Sequence, residues 1–235
     1  MSGQSSETNA QLPLDLPITP RLGRDDFLAA PANLSALTML EEWPNWPNRM
    51  VSIYGPPGSG KSHLLAIWAA QSQAQIYTGA ALPSLDELLS RNLNAIGIDD
   101  VDQLKDETAL FHLLNFTNEH QVFVVMTARR LLRSDEVTLP DLLSRLRLAL
   151  SLEINAPDEA LVRAVLDKLF KDRQLIVDAP ALDYAALRLD RSLEAVRAFV
   201  SAIDRAALAQ GRPITRALAA EIMANWLPDA DWGED

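Results

Sequence analysis

The run Gly55-Pro56-Pro57-Gly58-Ser59-Gly60-Lys61-Ser62 matches G-x-x-x-x-G-K-[ST], and its surroundings restrict the fold more than any other feature of the chain. It follows a short apolar strand pattern, Met50 to Tyr54, and precedes a helical pattern carrying Leu64, Leu65, Ile67 and Trp68. Glycines let the backbone curl so that successive N–H groups point inward at phosphate oxygens, and the helix start adds the positive end of its dipole. In this reading Pro57, Gly58, Ser59, Gly60, Lys61, Ser62 and His63 border a bound nucleotide. Lys61 reaches the β- and γ-phosphates and Ser62 ligates Mg²⁺. A glycine turn with a chance lysine would leave the flanking strand and helix unexplained, whereas His63 reads equally well as local packing inside its helix.

A magnesium nucleotide needs an acidic wall opposite the loop. Ala95-Ile96-Gly97-Ile98-Asp99-Asp100 is an apolar strand pattern ending in two carboxylates. Asp99 is placed to hold the metal through water, and Asp100 either polarises an attacking water or is structural. Thr127 closes the Val122 to Met126 strand pattern, where a hydroxyl senses the γ-phosphate or merely follows β-propensity. From spacing alone Arg145 and Arg191 read either as functional groups or as solvated helix-end arginines. The histidines, His63, His112 and His120, have the spacing of neither a metal site nor a catalytic triad.

Ala74 to Tyr77, Val122 to Thr127 and Leu150 to Ile154 supply further strand patterns with helical stretches between them, the rhythm of a parallel sheet covered on both faces. After Pro157 the strand patterns stop. Leu161, Val162, Val165, Leu166 and Leu169 recur at helical spacing, as do Leu193, Val196, Val200, Ile203 and Ala207, before a last helix from about Thr215 to Trp226. The expected fold is α/β, a P-loop domain with a parallel five-stranded sheet flanked by helices, followed by a small all-helical lid. The expected divisions are an N-terminal arm over 1–19, the nucleotide-binding domain over 20–156, the lid over 157–227 and an acidic tail over 228–235.

The 235 residues hold 21 Lys+Arg against 32 Asp+Glu, and this net charge of −11 argues against a freestanding, sequence-specific DNA binder. Without cysteine the chain can have no disulfide, thiolate metal site or thiol nucleophile, which fits a cytoplasmic setting. Met1 to Gln11 carry neither a basic residue nor an apolar run, so no signal peptide is expected there. No stretch reaches the roughly 20 apolar residues of a membrane span, so no membrane partner is expected. Gln11-Leu12-Pro13-Leu14-Asp15-Leu16-Pro17 alternates leucines between prolines, an extended strip that either packs on its own domain or docks in another protein's pockets.

The segments GPPGSGKSHLL, IGIDDVDQL, LPDLLSRL and LDRSLEAV, in that order and followed by helices, resemble the AAA+ core of the bacterial replication initiator family DnaA over roughly residues 20 to 226. The DNA-binding domain of that family lies beyond this core, so the chain is similar to the Hda-like branch, which couples the sliding clamp to inactivation of the initiator. Gln11, Leu12, Leu14 and Leu16 are similar to the short peptides that dock on the clamp. The resemblance implies ADP or ATP with Mg²⁺ as ligands. It places the arginine finger at Arg145, reaching the nucleotide of a neighbouring subunit, and the lid's sensor arginine at Arg191. It also places Asp26, Phe27, Leu28 and Asn33 in the segment that helps hold adenine.

The expected function is regulatory inactivation of the initiator, with DnaA and the DNA-loaded clamp as partners and assembly with further copies of the chain left open. Many family members carry an acidic residue followed by Arg and Pro after the sensor strand, whereas this chain reads Thr127-Ala128-Arg129-Arg130-Leu131. That departure implies weak or no hydrolysis by the chain itself. The rival readings are an ATP-hydrolysing loader of a helicase or transposition factor and a nucleotide-dependent scaffold.

Overall fold

A computed structural model describes residues 22–225. The leucine strip with Gln11, Leu12, Leu14 and Leu16, and the acidic stretch 228–235, lie outside the described residues, as does Trp226 at the expected end of the last helix.

After a 3-10 turn at Arg24–Asp26, the elements run α1 (Leu34–Glu41), β1 (Met50–Tyr54), α2 (Lys61–Ser72), β2 (Gln75–Thr78), α3 (Leu85–Ser90), β3 (Ala95–Asp99), α4 (Glu107–Glu119), β4 (Phe123–Ala128), α5 (Pro140–Leu146) and β5 (Leu150–Glu153). Four helices follow, α6 (Glu159–Asp172), α7 (Ala179–Arg188), α8 (Leu193–Gln210) and α9 (Arg216–Ala224). The strands form one parallel sheet in the order β2-β3-β4-β1-β5.

Strand side chains alternate between the two faces. Met50, Val124 and Met126 turn toward Leu88 of α3, Leu110, Leu113 and Leu114 of α4 and Leu142 of α5. Val51, Ile53 and Val125 turn the other way, onto Leu37 and Leu40 of α1 and Leu64, Leu65 and Trp68 of α2. A central strand buried on both sides therefore reads as a nearly continuous apolar run. Gly97 is small because Leu65 and Ile76 close over it: a Cβ there would lie 3.0 Å from Leu65 Cδ1.

The last four helices bury a separate apolar core, built from Val162, Leu166 and Phe170 of α6, Leu182 and Ala185 of α7, Val196, Phe199, Val200 and Ile203 of α8 and Leu218 of α9. The starts of α6, α7 and α8 are fixed by side-chain caps. Asp158, Asp178 and Ser192 each accept a first-turn N–H of the helix that follows. Gly211, in the left-handed region at φ 60°, terminates α8.

Hydrogen bonds join this helical lid to the sheet domain. The backbone N–H of Leu193 donates to Gly58 O at 2.8 Å. Lys168 Nζ of α6 donates to Asp26 Oδ1 at 3.0 Å, and to Asp172 Oδ2 at 2.8 Å on its own helix.

Candidate functional site

The loop between β1 and α2 wraps round Lys61. Its ammonium donates to Gly55 O and Pro56 O, both at 2.9 Å, and the residue is 6% exposed. Burial lowers its pKa, against the raising influence of Asp100, Asp102 and Asp99, with Arg129 nearby acting in the lowering direction. A cation is thus enclosed in a ring of backbone, facing carboxylates it does not touch.

Gly58 and Gly60 hold φ values of 67° and 103°, which side-chain-bearing residues rarely adopt. At Gly58 there is a second reason for glycine: a Cβ would lie 1.9 Å from Ser192 Oγ, the cap of α8. Ser59 is 2% exposed, and its hydroxyl has no hydrogen-bond partner among the described residues. A buried hydroxyl without a partner, in a glycine turn at the start of a helix, suits an anion.

Asp99 leaves the end of β3 toward this loop. Ser62 Oγ donates to Asp99 Oδ1 at 3.1 Å, and Thr127 Oγ1 donates to the same carboxylate oxygen. Thr127 is fully buried at the end of the neighbouring strand β4 and accepts the backbone N–H of Asp100 at 3.0 Å. Its hydroxyl proton is committed to Asp99, so Thr127 orients the acidic pair from behind. Asp100 sits at φ 51°, in the left-handed region. Burial, and after it Asp99 and Asp102, raises its pKa. Among the described residues no group of three or more His, Cys, Asp or Glu could hold a metal by itself. The hydroxyl and carboxylate of Ser62 and Asp99 are hard oxygen donors of the kind Mg²⁺ uses when it keeps several waters and takes phosphate as a ligand.

The segment before α1 closes the other side. Phe27 is 5% exposed and meets His63 edge-on, with ring centroids 5.1 Å apart. His63 Nε2 lies 3.0 Å from Gly23 O, and burial lowers the pKa of the ring. A carbonyl oxygen only accepts, so Nε2 donates to it and pins the segment to α2. Asn33 fixes the same segment by donating to Leu28 O at 3.1 Å and accepting from Ala30 N–H at 2.9 Å.

These contacts tie His63 to Phe27, Ser62 to Asp99, and Asp99 and Asp100 to Thr127, so Phe27, Asp99, Asp100 and Thr127 border the loop Pro57 to His63, with Leu28 in the segment that Asn33 fixes. Arg191 stands at the loop's lid side with an exposed side chain, one residue before the cap that touches Gly58. Sequence reasoning passed over Arg197, one helical turn further along the face of α8 that carries Leu193. Its guanidinium is half-buried, its pKa is lowered by desolvation, and its charge is felt at His63. The i, i+4 spacing from Leu193 is the one sequence signal that could have pointed to it. Arg145 lies apart from this cluster, half-buried at the end of α5, with no side-chain hydrogen bond or ion pair among the described residues.

No family model matches the chain. It is similar to the chromosomal replication initiator protein DnaA of Cutibacterium acnes, 23% identical over 90% of this chain and 48% of that protein. The chain spans about half the length of the curated relatives it matches. In structure it is similar to domain III of the Thermotoga maritima replication initiation protein DnaA, with a TM-score of 0.73, 20% identity and coverage of 91% of this chain and 100% of that one. AMPPCP-bound DnaA from Aquifex aeolicus also matches, with a TM-score of 0.66, 16% identity and coverage of 79% and 66%. Similarity along nine-tenths of the chain, together with the five-stranded parallel sheet, phosphate loop and helical lid, shows an AAA+ P-loop fold similar to that of DnaA domain III.

Proposed function

We propose that the chain binds ADP or ATP in the crevice between the phosphate loop and α8, and that in this state it stimulates ATP hydrolysis by the initiator DnaA. Nucleotide binding draws its support from the ring around Lys61, the unpartnered buried hydroxyl of Ser59 and the AMPPCP held by the Aquifex aeolicus neighbour. Ser62 and Asp99 would hold Mg²⁺, which when bound draws charge from the phosphate oxygens. Phe27 and the segment fixed by Asn33 would border the base.

The observation that carries the regulatory reading is Arg145. It belongs to α5, outside the chain's own crevice, and no carboxylate among the described residues neutralises it. A guanidinium held by a helix and left without an internal partner is suited to a charge supplied by another molecule, here the γ-phosphate of ATP bound to the initiator. Such an arginine stabilises negative charge developing on the transferred phosphoryl group, an effect of about 10³ to 10⁵ in rate in well-studied cases. Gln11, Leu12, Leu14 and Leu16 would tether the chain to the DNA-loaded sliding clamp, in a cytoplasmic setting; no described helix is long and apolar enough to cross a membrane.

The test is ATP hydrolysis by purified initiator with DNA-loaded clamp, comparing no addition, this protein, its Arg145→Ala form and its Gln11→Ala form. Stimulation by the unmodified chain that is lost in both variants is expected. Absence of stimulation together with vigorous hydrolysis by the chain alone would sink this reading. The result would then favour a loader ATPase, which the network from Thr127 through Asp99 to Ser62 also suits.

A further inference from the structure

The lid carries a cleft of about 370 Å³ between α7 and α9, far along the chain from the phosphate loop, with Tyr184, Arg188, Leu189, Asp190, Met223 and Ala224 among its walls. Its chemistry is unusual for a chain of net charge −11. The guanidinium of Arg188 lies 4.0 Å from the centroid of the Tyr184 ring, and that of Arg216 lies 5.4 Å from the same centroid. Neither arginine forms an ion pair among the described residues, whereas Arg24 pairs with Glu41, Arg163 with Asp183 and Arg212 with Glu221. Ring and guanidinium surfaces offer a flat, partly apolar platform flanked by positive charge. The acid in the wall, Asp190, belongs to the loop that leads to Ser192. Volume and lining fit a peptide that supplies an aromatic or aliphatic side chain and carboxylates together.

The sequence that follows the cleft has this composition. Beyond Met223 and Ala224, which line it, the chain reads Asn225-Trp226-Leu227-Pro228-Asp229-Ala230-Asp231-Trp232-Gly233-Glu234-Asp235. Two tryptophans and a leucine are interleaved with four acids, so the segment complements the cleft in both charge and apolarity. A stretch of this length can reach about 33 Å when extended, more than enough to return to a cleft at its own root. We infer that the cleft walled by Tyr184 and Arg188, with Arg216 beside the same ring, is the receptor for the acidic, tryptophan-bearing segment 226–235 of the same chain. Leu189 and Asp190 continue into Ser192, which meets Gly58, so an occupied cleft braces the loop through which the lid touches the phosphate loop.

The full chain labelled with 5-fluorotryptophan tests this by ¹⁹F NMR, with the Trp226 and Trp232 signals assigned from Trp226→Phe and Trp232→Phe. Both signals should stand away from those of a synthetic peptide of residues 226–235. They should move onto the peptide's positions in Arg188→Glu/Arg216→Glu and in concentrated salt, while the signals of Trp43, Trp46 and Trp68 hold and report an intact fold. Trp226 and Trp232 signals that coincide with the free peptide's in the unmodified chain would overturn the inference. So would displaced signals indifferent to the charge reversals, or a displacement that grows with protein concentration, which would place the segment in a second copy.

Discussion

Asp100 is held in an expensive state. It adopts φ 51°, which costs an L-residue energy, although Asp and Asn tolerate that region better than most. Its carboxylate is also held against Asp99 and Asp102 in a partly desolvated position that raises its pKa. For an acid whose folded pKa is raised, the native state binds more protons than the unfolded state between the two pKa values, so stability falls as pH rises through that window and the penalty is complete above it. Asp100→Asn keeps the shape, tolerates the backbone and removes the charge. It should raise Tm at pH 7.5 by about 2 °C, and the gain should shrink toward zero as the pH is lowered into the carboxylate range. Thermal unfolding of both proteins across pH would show this, and an unchanged or lower Tm at pH 7.5 would contradict it. The residues of the loop itself were legible because one contiguous motif names them all, Gly58, Lys61 and Ser62 included. The rest of the crevice was not. Thr127's donation to Asp99 joins positions 28 residues apart. The link between Lys168 and Asp26 joins positions 142 apart, and no local pattern encodes such pairings.

At the scale of elements, helices and strands followed from apolar periodicity, and the two-faced burial of β1 and β4 explains why they were the plainest. The strand boundaries moved by one residue at most: β2 and β4 each lie one residue further along the chain than expected, β3 runs one residue longer and β5 one residue shorter. Less legible was how the lid sits on the sheet. α6 meets the 3-10 turn at Arg24–Asp26 through Lys168, and α8 meets the phosphate loop through Ser192 and Leu193. Hydrogen bonds to Asp172 and Asp26 raise the pKa of Lys168, so this link persists across the neutral range. The Lys168–Asp26 pair is about a fifth exposed on each side, 23% and 22%, so its worth lies near the upper end for surface pairs, about 1 kcal/mol. If nucleotide leaves when the lid lifts, Lys168→Ala should speed release of a fluorescent ADP analogue by about fivefold. Stopped-flow displacement measures this directly. A rate equal to that of the unmodified protein would show that the pair has no part in holding the lid closed.

The described residues form a sheet with one core on each face and a helical lid with its own core, joined by hydrogen bonds from Lys168 to Asp26 and from Leu193 to Gly58 and by the close approach of Ser192 to Gly58. Two bodies with separate cores need not unfold together. A ligand seated between the phosphate loop and α8 would touch both, and because it binds the native arrangement alone it would stabilise both at once. At free ADP about 100 times its Kd that coupling amounts to about 2.7 kcal/mol, which for a domain of this size raises Tm by roughly 5–10 °C. Calorimetry should therefore show a broad or doubled transition in nucleotide-free protein that sharpens and moves upward with ADP and Mg²⁺. Lys61→Ala removes the buried ammonium proposed to meet the phosphates while leaving the apolar cores intact, so it should keep the nucleotide-free profile nearly unchanged and abolish the response to ADP. A shift that survives in Lys61→Ala would mean that the ligand binds elsewhere. A shift confined to one of two transitions would mean that nucleotide stabilises the sheet or the lid without joining them, and the crevice would then be a binding site without the power to set the lid's position.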